Sequence, residues 1–139
     1  MRIAVALLWM VALSVYDVRC RRLPNWLTLP GFATILLVAS ASDDGVAALA
    51  GAAVLSAVYL LVHLVSPTAM GAGDVELAAG LGALTGCFGG DVWLLAALGA
   101  PLLTGAAAMV AALRRSGPSV PHGPSMCLAS VAAISLVVL

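Results

Sequence analysis

Charged side chains are scarce in this sequence. Only 9% of its 139 residues are Asp, Glu, Lys or Arg, against about 25% in an average soluble domain. Lysine is absent, and six arginines balance six acidic residues, so the chain offers no excess of positive charge for nucleic acid and we expect no binding to DNA or RNA. Apolar residues make up 63% of the chain, and the mean hydropathy is +1.16. This composition indicates an integral membrane protein.

Cysteine and aromatic residues are also few. The three cysteines, Cys20, Cys87 and Cys127, are far apart and form no Cys-x-x-Cys pair. They therefore suggest neither a zinc site nor a disulfide framework, and we interpret them as packing or surface thiols. We expect no metal and no other cofactor. The three tryptophans are expected to anchor or pack helices near the membrane surface.

Apolar runs predict a single domain over residues 1–139, an all-α bundle of about six transmembrane helices. The predicted spans are Ile3–Tyr16, Leu27–Ala41, Val46–Val65, Val75–Phe88, Val92–Leu113 and Ser125–Leu139. The first span lacks a small-x-small cleavage site after it and is expected to be retained. The fourth is short and glycine-rich, so we expect it to pack closely inside the bundle.

The charged residues predict an orientation. With six spans, the first, third and fifth loops share one face, and they contain five of the six arginines. The other loops contain Asp43, Asp44 and Asp91. The positive-inside rule then places the arginine-rich loops in the cytoplasm and both termini outside. The same alternation brings Asp17, at the end of the first span, and Asp74, at the start of the fourth, to the cytoplasmic surface together.

Two carboxylates at one membrane level suggest a specific chemistry. Acids at the end of a span are candidate functional residues, and a close pair in a partly dry site is expected to share one proton. The ionised member can activate water while the protonated member donates a hydrogen bond to the developing oxyanion of a peptide. Gly71 and Gly73, which precede Asp74, leave room for an extended peptide and permit unusual backbone angles.

Three segments carry a family resemblance. The run Met70-Gly71-Ala72-Gly73-Asp74 resembles the Gly-x-Gly-Asp motif of the type IV prepilin peptidases, membrane aspartic proteases that include the archaeal preflagellin peptidases. Asp17 with the following Leu23-Pro24-Asn25-Trp26-Leu27-Thr28 is similar to that family's first-aspartate segment. Pro121-His122-Gly123-Pro124 resembles a third family feature.

The resemblance implies cleavage of a short basic leader from prepilins or pseudopilins at the cytoplasmic face of the cytoplasmic (inner) membrane. The partners it implies are this substrate, the lipid bilayer and possible pilus or secretion components. Asp17 and Asp74 correspond to the catalytic pair. The residues it implies for support or substrate binding are Gly71, Gly73, Pro24, Asn25, Glu76, Pro121, Gly123 and Pro124.

The sequence departs from the family pattern at two places. Glu76 occupies a position where the family usually has Lys, and it can either shift the titration of the aspartates or face the lipid headgroups. The cysteine-containing cytoplasmic insertion of the larger members is missing, so N-methylation is not expected. The chain resembles the minimal peptidases of Flp-type pilus systems.

Other interpretations stay open at this stage. Asp74 can serve as a helix cap as well as a catalytic group. His63 is expected to be a neutral, hydrogen-bonded residue, and His122 can either lie in a loop or contact substrate. The whole chain can also be a small ion or solute conduit lined by its aspartates, or a subunit of a secretion machine without catalytic activity.

Overall fold

A computed structural model describes residues 2–117 and 119–139. The described residues form six α-helices and no strand, which confirms the predicted fold class. The helices are α1 (Arg2–Cys20), α2 (Asn25–Ala41), α3 (Gly45–Val65), α4 (Ala72–Gly86), α5 (Gly90–Leu113) and α6 (Gly123–Val138). Three of them, α1, α3 and α5, are long and apolar enough to cross a membrane, and α2 and α6 are apolar but shorter.

Two helix boundaries differ from the prediction by three residues or more, and both differences involve an aspartate. α1 continues to Cys20, since no helix breaker follows Tyr16, and it ends before Arg21, whose φ is 56°. Asp17 therefore lies in the last turn of α1. α4 begins at Ala72 instead of Val75, which places Asp74 in its first turn.

α4 is the central helix of the bundle and packs against α2, α3, α5 and α6. Its closest contact is with α3, where glycines face each other. A Cβ atom added to Gly82 would lie 2.5 Å from the carbonyl oxygen of Gly51, and one added to Gly86 would lie 2.7 Å from that of Ala47. The expectation that the glycines of the fourth helix allow close packing is confirmed.

Most large apolar side chains outside this core face outward. Leu37, Leu61 and Leu102 are each more than 60% exposed in the isolated chain, as expected for side chains that contact lipid. Two tryptophans instead connect helices: Trp9 donates a hydrogen bond to the Leu27 carbonyl (2.8 Å), and Trp93 donates one to the Gly51 carbonyl (3.0 Å). The cysteines are free thiols, exposed at Cys20, intermediate at Cys87 and buried at Cys127.

The connections between helices meet as the alternation predicts. Arg21, after α1, donates a hydrogen bond to the Ser119 carbonyl before α6 (2.7 Å), and Leu23 lies against Gly73 near the start of α4. We call this end of the bundle, which contains Asp17, Asp74 and Gly123, the aspartate end. Every arginine except Arg2 belongs to segments that meet here.

Candidate active site

Asp17 is a buried acid that contacts the start of α6. Its side chain is 6% exposed, and Oδ2 accepts a hydrogen bond of 3.0 Å from the backbone N–H of Gly123. A Cβ atom at position 123 would lie 2.5 Å from the same oxygen. Glycine is thus the residue that lets the backbone approach this carboxylate.

Asp74 reaches the same region from the first turn of α4. Its Oδ2 accepts a hydrogen bond of 3.3 Å from the N–H of Gly71, the N-cap residue, so Asp74 does cap its own helix. The segment that follows Asp17 lies against the residue before Asp74, since a Cβ atom added to Gly73 would lie 2.9 Å from the Cβ atom of Leu23. The hydrogen bond from the Gly71 amide uses Oδ2 and not Oδ1 of this carboxylate.

Gly71 and Gly73 act differently from the prediction. Gly71 has φ −74° and ψ 153°, which any residue can adopt, and Gly73 is part of α4. The expectation of unusual backbone angles is therefore wrong. Position 73 requires glycine because there is no room for a side chain: an added Cβ atom would lie 2.9 Å from the Cβ of Leu23. This contact brings the segment after Asp17 against the segment that carries Asp74.

The predicted turn at Pro24 and Asn25 starts α2 and positions Thr28, which was not among the predicted site residues. Pro24 is the N-cap of α2, and its carbonyl accepts the N–H of Thr28 (3.1 Å). Thr28 is fully buried and its hydroxyl donates to Oε2 of Glu76 (2.7 Å). Glu76 therefore connects α4 to α2. The only signal for Thr28 in the sequence was its place at the end of the Pro-Asn segment.

His122 points into the protein. Pro121 and Pro124 flank the His122–Gly123 pair, and Pro124 lies in the first turn of α6. Nε2 of His122 is 2.9 Å from the Tyr59 hydroxyl, and Nδ1 is 2.5 Å from the Thr104 hydroxyl. Burial lowers the pKa of His122, which favours a neutral ring at physiological pH. A role in substrate contact does not fit a ring whose two nitrogens both bind protein groups.

His63 is hydrogen-bonded, as predicted. Its Nδ1 lies 2.5 Å from the carbonyl oxygen of Met70, the residue before Gly71. Because a carbonyl only accepts, Nδ1 carries the proton in this contact. Nothing in the sequence around His63 indicates that it holds the start of the Gly-x-Gly-Asp segment.

The site therefore contains two nearby carboxylates, each in contact with one backbone amide. Within residues 2–117 and 119–139, no group of three His, Cys, Asp or Glu side chains is arranged to hold a metal ion. Paired carboxylates of this kind can activate water by sharing one proton between them.

Comparison with known proteins gives a family match. No curated protein and no solved structure matches the chain. The sequence model of the type IV leader peptidase family matches residues 4–89, which is more than half of the chain and contains both aspartates. The Gly123 segment lies outside the matched range. On the strength of that match the chain belongs to the type IV leader peptidase family, and the family implies a peptidase that acts on prepilin-type substrates.

Proposed function

We propose that this protein is an aspartic endopeptidase whose catalytic dyad is Asp17 and Asp74. The observation that supports this most directly is that the segments carrying the two carboxylates touch at one end of the bundle: Leu23, which follows α1, lies against Gly73, which precedes Asp74 in α4. The fold thus brings residues more than fifty positions apart in sequence to the same end of the bundle. Burial of Asp17 in the protein also provides the low polarity in which two carboxylates share a proton.

The reaction needs one ionised and one protonated aspartate. The ionised carboxylate removes a proton from water as the water oxygen attacks the peptide carbonyl carbon. The protonated carboxyl donates its hydrogen to the carbonyl oxygen and stabilises the tetrahedral intermediate. The proton taken from water then passes to the leaving amine as the carbon–nitrogen bond breaks. The other carboxylate takes back a hydroxyl proton as the carbonyl double bond re-forms, which leaves one proton on the pair. The roles belong to the dyad as a coupled unit.

The proposed substrate is a prepilin or pseudopilin of the Flp type, cleaved at the cytoplasmic face between its basic leader and its apolar helix. The arginines of the aspartate end support this orientation through the positive-inside rule. An apolar substrate helix would lie in the same bilayer as the enzyme, and its leader would then meet the dyad at the membrane surface. The connections between the helices contain no cysteine-paired insertion, which supports cleavage without N-methylation. Pilus or secretion components are its proposed further partners.

The test is a pair of nearly isosteric substitutions. We expect Asp17→Asn and Asp74→Asn each to abolish leader removal, since an amide can neither take a proton from water nor exchange the shared proton. The measurement is conversion of a co-expressed prepilin to its mature form on an immunoblot. Membrane accumulation of each variant is measured in parallel.

Asp43→Asn and Asp91→Asn are the matched controls, because both residues are exposed and belong to the opposite end of the bundle. Both control variants should process prepilin at the wild-type rate. Normal processing by either dyad variant would show that the assignment of the dyad is wrong.

A further inference from the structure

His122 has no part in the proposed chemistry, yet both of its ring nitrogens are bound. Nε2 contacts the hydroxyl of Tyr59 on α3, and Nδ1 contacts the hydroxyl of Thr104 on α5. Tyr59 is itself buried, with 6% of its surface exposed. A side chain placed between two helices in this way fixes the segment that carries it.

The partners determine the direction of each hydrogen bond. The Thr104 hydroxyl lies 3.1 Å from the Ala100 carbonyl, which can only accept, so Thr104 donates there. Its oxygen then accepts the Nδ1–H of His122, which leaves the lone pair of Nε2 to accept the Tyr59 O–H. The three bonds form one directed chain with a neutral imidazole. We call Tyr59, His122 and Thr104 the histidine relay.

The relay is joined by one peptide bond to the amide that contacts the dyad. His122 is followed directly by Gly123, whose N–H donates to Oδ2 of Asp17 (3.0 Å). The prolines at 121 and 124 restrict the backbone on both sides of this pair. The backbone between the His122 ring and the Gly123 N–H therefore has little conformational freedom. Hydrogen bonds that hold the ring in place also hold this amide in place.

The same face of α3 also supports the second aspartate. His63 follows Tyr59 by four positions and so lies on the same side of the helix. It holds the carbonyl of Met70 (2.5 Å), next to Gly71, whose N–H contacts Asp74. Tyr59 and His63 thus secure the two backbone segments that supply an amide to the dyad.

We propose that His122 is a positioning residue for the dyad: through Tyr59 and Thr104 it holds the Gly123 amide against Asp17. This inference rests on the proposed peptidase function. His122 does not touch the reacting atoms, so its loss should disturb the orientation of the Asp17 carboxylate and leave substrate binding intact. The turnover number should fall while KM stays near its wild-type value.

The experiment removes each end of the Tyr59–His122 bond in the full-length protein in detergent. His122→Phe keeps a ring and loses both nitrogens, and Tyr59→Phe loses a single oxygen atom. The probe is a synthetic peptide with a basic leader, a glycine and an apolar helix. We expect each variant to lower kcat by about tenfold, because small misplacements of catalytic groups cost factors of this size. KM should stay within about twofold.

The double variant distinguishes a relay from two separate effects. Tyr59→Phe combined with His122→Phe should have the kcat of His122→Phe alone, since the second change removes a bond that is already lost. If the kcat of the double variant instead falls by the product of the two single reductions, the proposal is wrong. His122→Asn, which keeps a donor near the place of Nδ1, should recover part of the lost kcat.

Trp93→Phe provides a control for simple loss of stability. It removes a hydrogen bond of 3.0 Å to the Gly51 carbonyl at the opposite end of the bundle. This variant should unfold at a lower temperature and keep wild-type kcat. If His122→Phe does not accumulate, Tyr59→Phe carries the test, and an unchanged kcat in that variant refutes the relay.

Parallel assays of Asp17→Asn and Asp74→Asn separate this inference from the proposed function. Activity in either of those variants, or an inactive wild-type protein, would contradict the peptidase dyad itself. A wild-type protein that cleaves, together with inactive Asn variants and a fully active Tyr59→Phe variant, would refute only the positioning role.

Discussion

At the scale of single residues, the site depends on where side chains are missing as much as on where they are present. Gly123 provides an amide to Asp17 and has no room for a Cβ atom, which would lie 2.5 Å from Oδ2. Gly73 has a similar constraint against Leu23. At both positions the absence of a side chain lets the backbone lie directly against a neighbouring residue of the aspartate end.

This constraint predicts that Gly123→Ala damages catalysis. The added methyl group must displace the Asp17 carboxylate from the Gly123 amide, and a shift of about 1 Å in a catalytic group can cost on the order of a hundredfold in rate. We expect kcat for leader removal to fall by that order, as measured with a synthetic leader peptide. Gly90→Ala is the control, because nothing lies within 4 Å of an added Cβ atom there. Wild-type activity of Gly123→Ala would show that the contact is dispensable.

The two aspartates and the glycines that contact them could be predicted from the sequence, and the side chains that support this arrangement from neighbouring helices could not. Asp17 and Asp74 stand out because charge is rare in this chain and because both lie beside recognisable motifs. Tyr59 and Thr104 carry no such signal. A hydroxyl in an apolar helix has the same sequence context whether it faces lipid or a buried partner, and only the packing of the helices decides between them.

At the scale of helices, α4 brings the site together because it packs against α3 without intervening side chains. Gly51 and Gly82 meet backbone to backbone. Close approach of this kind increases van der Waals contact, which is the main attraction between helices in a membrane. The number and approximate bounds of the helices followed from the apolar runs. The two boundaries that differ most from the prediction lie where a helix continues beyond its apolar part, as at Asp17.

The α3–α4 contact predicts that Gly82→Ala lowers stability. A Cβ atom 2.5 Å from the Gly51 carbonyl oxygen forces the two helices apart, and overpacking of this kind typically costs about 1–3 kcal/mol. Thermal unfolding of the purified protein in detergent measures the loss. Gly105→Ala, which places its methyl group in open space on α5, should not lower the unfolding temperature. Equal stability of the two variants would mean that α3 and α4 are less tightly packed than described.

At the scale of the whole molecule, the six-helix alternation determines which segments can meet. The loop after α1, the start of α4 and the segment before α6 gather at one end, where Arg21 contacts Ser119 and Gly123 contacts Asp17. Counting spans was enough to predict this meeting. It could not predict that Asp17 is buried or that the His122 side chain points into the protein, because both depend on how closely the helix ends approach one another.

The same alternation predicts which side of the membrane each end faces. Cys20 is exposed at the aspartate end, beside arginines that the positive-inside rule places in the cytoplasm. In a Cys87→Ala background, a membrane-impermeant maleimide should label Cys20 only after spheroplasts are permeabilised. An Asp91→Cys variant that also carries Cys20→Ala and Cys87→Ala should be labelled in intact spheroplasts, because residue 91 is exposed at the opposite end.

The double variant Cys20→Ala, Cys87→Ala measures any signal from the buried Cys127. Labelling of Cys20 in intact spheroplasts would place the dyad outside the cell, where a leader that remains in the cytoplasm cannot reach it. The orientation experiment thus tests the substrate proposal independently of the catalytic residues. If the dyad cleaves a synthetic peptide yet faces outward, the proposed catalytic mechanism stands and the proposed substrate is wrong.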